Sequence, residues 1–136
     1  MSWSDLAEKI ESALRATGYV HSVYEGDVYD IWNNSEVPYV SACFDEVALD
    51  DSVNDSLDVY NVMVYVADRL TEDNGNSRQA RDFSHAVFKM AVATLRQQHI
   101  AVECGALTPF VQKFADNLAG YYAQLTITVP SDLQNC

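Results

Sequence analysis

Residues 59–67 read Val-Tyr-Asn-Val-Met-Val-Tyr-Val-Ala, and this run is the centre of the predicted fold. Its side chains alternate between two rows with the two-residue period of a β-strand. One row consists of Tyr60, Val62, Val64 and Val66. The opposite row, from Val59 to Tyr65, is only partly polar. The pattern therefore predicts a central strand that is covered on both faces.

Two amphipathic helices are predicted on either side of this strand in the sequence. At residues 3–17 the apolar positions recur at the spacing of a single buried stripe, and residues 78–98 repeat the pattern over a longer span. The expected core places Val62, Val64 and Val66 beneath Ile10, Leu14, Val87 and Ala91. The longer helix begins with Arg78 and Arg81, which oppose its dipole; they indicate either a solvated turn or a contact reserved for a partner.

The remaining strands are predicted from runs of β-branched and aromatic residues. These runs are residues 20–32 (one bent strand or a short hairpin), 39–44 with Pro38 opening it, 100–104 and 121–129. Thr108-Pro109 predicts one or two helical turns within 105–118, pinned down by Phe110 and Phe114. The order α-β-β-β-α-β-β predicts an α+β fold, a mostly antiparallel sheet with two helices packed against it. We expect one domain over residues 1–136, with a frayed tail after residue 130.

Composition excludes several classes of function. The chain has 136 residues, with 20 acidic against 8 basic side chains and a net charge of −12. Such a charge repels phosphate at long range, which argues against generic binding of nucleic acid or anionic membranes. No apolar run reaches the ~18–20 residues of a membrane helix, and the first residues lack the pattern of a signal peptide. We therefore expect no contact with a membrane.

The sequence offers few groups for catalysis. His21, His85 and His99 lie far apart, and neither a nucleophile–base motif, a phosphate-binding loop nor metal-ligand spacing is present. The prediction is a protein that is not an enzyme and uses neither cofactor nor metal. Two of these histidines, or one with Cys104, within hydrogen-bond reach in a pocket would contradict it. Cys43, Cys104 and Cys136 are expected to be reduced, two in the core and one loose at the terminus.

The acidic segment 45–58 is the most unusual part of the sequence, and we expect it to project as a polar loop. Its carboxylates are Asp45, Glu46, Asp50, Asp51, Asp55 and Asp58, and its apolar residues are Val47, Leu49, Val53 and Leu57. It could be a solvated hairpin loop, a cation site, or a negative surface facing a partner or a pore. The apolar residues favour an ordered contact, so we expect them to form an oligomer or partner interface, with the carboxylates facing a lumen or a partner.

The chain resembles tailed-phage tail terminator (tail completion) and related head–tail connector ring proteins. The resemblance is carried by the short N-terminal helix, Val37-Pro38-Tyr39-Val40 opening a strand, the polar excursion, the strand at 59–65, a single long helix and the last strand at 120–130. It implies a small α/β subunit of a six-fold ring capping the tail tube, or a twelve-fold ring in the neck. The subunit would contact neck, portal or tail-tube proteins.

The resemblance also implies a virion protein assembled in the host cytoplasm, whose ring lets DNA pass without binding it specifically. An acidic lumen suits that role, because like charge repels the phosphates. It supplies no catalytic residue. Two alternatives stay open: a small ligand-binding or enzymatic α+β domain with a pocket at Tyr60 or Tyr65, and an adaptor that binds one protein through the acidic segment. Ring order and position along the virion are also open.

Overall fold

The computed structural model describes residues 1–34, 39–54, 56–71, 73, 75–113 and 117–131, without the side chains of residues 34, 51–54, 112 and 113. In chain order the elements are α1 (Trp3–Arg15), β1 (Ser22–Glu25), α2 (Val28–Asn34), β2 (Ser41–Asn54), β3 (Leu57–Arg69), α3 (Ser77–Gln97), β4 (Ala101–Cys104), β5 (Thr108–Lys113) and β6 (Asn117–Pro130). No helix in these ranges is long and apolar enough to cross a membrane.

The strands form one mixed sheet with the order β1-β2-β3-β6-β4. Only β1 and β2 pair in parallel; the other described pairs are antiparallel. Because β3 occupies one side of β6 along almost its whole length, β4 and β5 share the other side. The predicted α+β class with a mostly antiparallel sheet is confirmed. The observed order, α-β-α-β-β-α-β-β-β, contains one helix and one strand more than predicted.

The core lies between the sheet and the two long helices, as predicted. Val62, Val64 and Val66 on β3 are all but inaccessible to solvent. They share one apolar cluster with the helix residues Ile10, Leu14, Val87 and Ala91. The opposite row of β3 is only half-buried, because its cover is thinner. There Tyr65 meets Trp32 of α2 and Phe110 of β5 edge-on, at 6.4 and 5.9 Å between ring centres.

One buried hydroxyl fastens α3 to the middle of the sheet. The Oγ atom of Ser84 donates a hydrogen bond to the carbonyl oxygen of Val66 at 2.8 Å and accepts one from the backbone N–H of Tyr121 at 3.0 Å. Val66 and Tyr121 are cross-strand partners, so the hydroxyl replaces a bond of the β3–β6 ladder. At the neighbouring Gly120 a Cβ atom would overlap the Val66 carbonyl, so only glycine fits there.

The prediction of a strand at 28–32 is wrong, because these residues form α2. A side-chain oxygen of Asp27 accepts from the Tyr29 N–H at 2.8 Å and begins the helix. Val28 and Trp32, four residues apart, are buried together against Cys43, Ala67 and Leu118. This tertiary contact outweighs the strand preference of the β-branched and aromatic residues.

The prediction of helical turns in 105–118 is also wrong, because residues 108–113 form β5. Pro109 is accommodated because β5 is an edge strand, where a missing N–H costs no ladder bond. Phe110 packs on Tyr65, whereas Phe114 lies outside the described residues. Pro38 and residues 132–136 of the expected frayed tail also lie outside them. The two long helices stand where they were predicted, to within two residues.

Candidate interface at the acidic strand edge

The prediction of a projecting loop at residues 45–58 is wrong in the described part, because residues 45–54 belong to β2 and Leu57 and Asp58 belong to β3. Asp50 lies opposite Val59, and Asn54 lies opposite Leu57. Strand β6 continues beside β3 as far as Leu57, which faces Pro130. The segment is therefore part of the sheet and does not project from it. The many carboxylates of this segment favour a loop when local preference alone is considered. Pairing with β3, which is itself paired with β6, imposes the extended conformation instead.

Beyond Phe44, strand β2 has an open outer side. The parallel pairing with β1 ends where Glu25 faces Phe44, and the N–H of Gly26 donates to the Phe44 carbonyl at 2.9 Å. The chain then turns away into α2. From Asp45 onward the only strand paired with β2 in the described structure is β3. Within this stretch the Glu46 N–H donates to a side-chain oxygen of Asp45 at 2.9 Å, and Val47 and Leu49 present exposed apolar side chains.

A β-bulge shapes this open edge. The register shifts between Glu46 and Ala48, so that Val47 has no opposite residue on β3, and its side chain is 56% exposed. After the bulge, Leu49 lies opposite Tyr60 and is 46% exposed. Cross-strand partners share a face, so Leu49 extends the core-facing row beyond the cover of the helices.

Tyr60, the cross-strand partner of Leu49, belongs to a cluster of aromatic rings. The Trp3 ring lies 5.7 Å from that of Tyr60 and 6.3 Å from that of Phe44, measured between ring centres. The Trp3 indole N–H also donates to a carboxylate oxygen of Glu25 at 2.9 Å. Leu49 therefore continues an ordered apolar surface, and it is not an isolated apolar residue in solvent.

The structure brings together only some of the predicted interface residues. Val47 and Leu49 share the open edge with Glu46 and Asp50, which are exposed, and with Asp45, which is half-buried. Leu57 and Asp58 are half-buried inside the sheet, opposite Pro130 and Val129. Asp55 and the side chains of Asp51 and Val53 lie outside the described part. Among the described residues, no group of three His, Cys, Asp or Glu side chains is placed to hold a metal ion.

A groove of about 290 Å³ opens where β1 leaves the edge of β2. Sequence reasoning missed two of its residues, Asp27 and Tyr29; the Gly26-Asp27 turn was the available signal. Cys43 lines the groove, and its thiol donates to the Gly26 carbonyl at 3.4 Å. Burial, reinforced by Asp45 and then Asp27, raises the pKa of Cys43 to about 12, so the thiol stays protonated at neutral pH.

The two tyrosines considered as alternative positions for a ligand pocket lie in different surroundings. Tyr60 is buried in the core beneath Trp3, whereas Tyr65 lines the groove beside β2. The tyrosines do not form a common pocket within the described structure, since they belong to opposite faces of β3. In the groove, burial raises the pKa of Tyr65, so its phenol is neutral under ordinary conditions.

A second groove, of about 440 Å³, lies between α3 and β4 and holds two of the residues considered for catalysis. His85 and Cys104 both line it. The Cys104 thiol donates to the Gly105 carbonyl at 3.4 Å, and the His85 ring packs edge-on against Tyr121 at 6.4 Å. The prediction of a core position for Cys104 is wrong, because β4 is an edge strand and this residue is exposed. Cys136 lies outside the described residues.

Comparison with known proteins identifies no family. No protein-family model matches the chain, and a search of curated proteins found no significant match.

Proposed function

We propose that this chain is a structural ring subunit of a tailed phage, placed at the head–tail junction or at the end of the tail, which joins neck and tail around a channel for DNA. The observation that carries the proposal is the open edge of β2 with its exposed Val47 and Leu49. A long strand edge bearing apolar side chains is an aggregation hazard for a monomer. A neighbouring subunit that covers this edge removes the hazard, and Val47 and Leu49 then form part of the contact between subunits.

The sheet favours contacts between unlike surfaces. The open part of β2 lies on one side of the sheet, and β4 and β5 form the other side. Pairing of two β2 edges would bring Asp45, Glu46 and Asp50 of both copies close together. Like charges opposite each other on paired strands repel. Head-to-tail contacts avoid this repulsion. Such heterologous contacts close into rings when the rotation between subunits permits.

The charge of the chain suits a conduit for DNA. The net charge is −12, and Glu46 and Asp50 are exposed on the edge of β2. A ring of such subunits surrounds its lumen with negative potential, which opposes binding of the phosphate backbone. DNA would therefore pass without being held.

Native mass spectrometry over a range of protein concentrations tests this proposal. We expect a closed oligomer of defined stoichiometry, six or twelve subunits, and annular particles in negative-stain images of the same sample. A monomer at every concentration would contradict the proposal and favour the ligand-binding or adaptor alternative. An open series of ever longer oligomers would contradict ring closure.

A further inference from the structure

The groove between α3 and β4 differs in charge from the rest of this acidic protein. Among the described residues, its polar lining includes Lys89, Arg96 and His85 but no carboxylate. By contrast, the groove beside α1 contains Asp5 and Glu8, and the groove beside β2 contains Asp27, Asp45 and Glu46. In a chain with 20 acidic residues, a cationic groove without carboxylates is suited to an acidic ligand.

The floor of the groove is apolar and its rim is positively charged. Phe88 and Val92 are buried at its base, and Leu107 is half-buried at its side. Lys89 is exposed, whereas the Arg96 guanidinium is held in place by two hydrogen bonds to the Val102 carbonyl, at 3.1 Å from Nε and 2.8 Å from Nη2. The groove therefore fits a segment in which apolar and acidic residues lie close together.

The open edge of β2 has this composition. Residues 45–50 read Asp-Glu-Val-Ala-Leu-Asp, with Val47 and Leu49 exposed beside Glu46. Strands β3 and β6 lie between β2 and β4. At the usual spacing of strands, the distance from β2 to β4 is therefore roughly 14 Å. The groove and this strand edge thus lie at opposite edges of one sheet. They can therefore meet only between two copies of the chain.

We propose that the α3–β4 groove of one subunit receives the edge formed by residues 45–50 of a second copy of this chain. Val47 and Leu49 contact the apolar floor, and Glu46 faces Lys89 on the rim. The contact joins two different surfaces, so it is heterologous and can repeat around a ring. This inference rests on the proposed function, because it names the two surfaces that the ring would use.

A charge exchange tests the polar half of the contact. Lys89→Glu is expected to weaken association about tenfold or more, because it replaces attraction to Glu46 by repulsion. The double variant Lys89→Glu/Glu46→Lys is expected to recover most of the loss. Lys9→Glu on α1 makes the same change of net charge away from the groove and serves as the control. Equal effects of Lys89→Glu and Lys9→Glu, or no recovery in the double variant, would overturn the inference.

A cross-link tests the apolar half, with the native Cys104 as reporter. In a Cys136→Ser background, Leu49→Cys is expected to form a disulfide with Cys104 of the neighbouring copy and to give a covalent ladder on non-reducing gels. Oxidation should be carried out at alkaline pH, because partial desolvation in the groove raises the pKa of the Cys104 thiol. Adding Cys104→Ser should abolish the ladder, and Val111→Cys, an exposed position on β5, should not produce one.

The outcomes separate this inference from the proposed function. Closed oligomers without the cross-link, or without the charge rescue, would overturn the groove contact and leave the ring proposal standing. Monomers at every concentration, with no cross-link, would overturn both. Closed oligomers with both the rescue and the cross-link are the result that the inference predicts.

Discussion

Strands β2 and β3 form one hairpin, yet their apolar residues have different roles. Strand β3 has a neighbour on each side, and its Val62, Val64 and Val66 are buried under α1 and α3. The distal part of β2 has β3 on one side only, and its Val47 and Leu49 remain about half exposed. The residue types are similar, so the number of covering elements makes the difference. Folding buries the first set and leaves the second set for association.

The largest expected effect comes from placing a charge on each strand in turn. Val64→Asp should lower the free energy of unfolding by about 3–5 kcal/mol or prevent folding, because it buries an unpaired carboxylate. Leu49→Asp should cost less than about 1 kcal/mol, because that side chain reaches solvent. Chemical denaturation of both variants measures the difference. Similar losses would show that the edge of β2 belongs to the core.

A smaller effect is expected at the attachment of α3 to the sheet. Ser84→Ala removes the hydroxyl between the Val66 carbonyl and the Tyr121 N–H, and leaves one buried and one partly buried backbone group without this partner. The expected loss is about 1–3 kcal/mol in denaturant unfolding. Ser12→Ala, at an exposed position of α1, should stay within about 0.5 kcal/mol of the wild type. Equal stability of the two variants would contradict the anchoring role of Ser84.

A still smaller effect concerns the end of β3, where the cover thins out. Burial raises the pKa of Asp68 above its ordinary 3.8, although the Arg69 N–H and His21 partly oppose the shift. The native state then holds this proton more tightly than the unfolded chain does, so this group's contribution makes stability fall as the pH rises above about 3.8. Asp68→Asn should reduce that fall in unfolding experiments at a series of pH values. An unchanged pH dependence would contradict the shift.

The sequence was sufficient to predict the elements whose apolar residues recur with a regular period. The two long helices and β3 have repeated apolar patterns, and these patterns also predicted that Val64 and Val87 belong to the same core. Local propensity failed where a distant partner decides. Trp32 belongs to a helix because Cys43 and Leu118 bury it, and β5 is a strand because β6 pairs with it.

The candidate site was predictable only in part. The acidic and apolar composition of residues 45–50 marked them as unusual, but the bulge at Val47 and the early end of β1 depend on strand pairing. The cationic groove combines Lys89 and Arg96 of α3 with Cys104 of β4. A reversal at His99, which has a positive φ of 63°, brings these two elements side by side, and residue spacing does not reveal such a turn.

The most direct test of the central claim uses the double variant Val47→Ser/Leu49→Ser, with Val111→Ser on β5 as a control of similar exposure. Unfolding free energy and native mass are measured on the same samples. We predict that the double variant unfolds within about 1 kcal/mol of the wild type but is monomeric at concentrations where the wild type and Val111→Ser form closed oligomers. Equal assembly of the double variant and the wild type, or a double variant that no longer folds, would contradict the claim that this strand edge serves association.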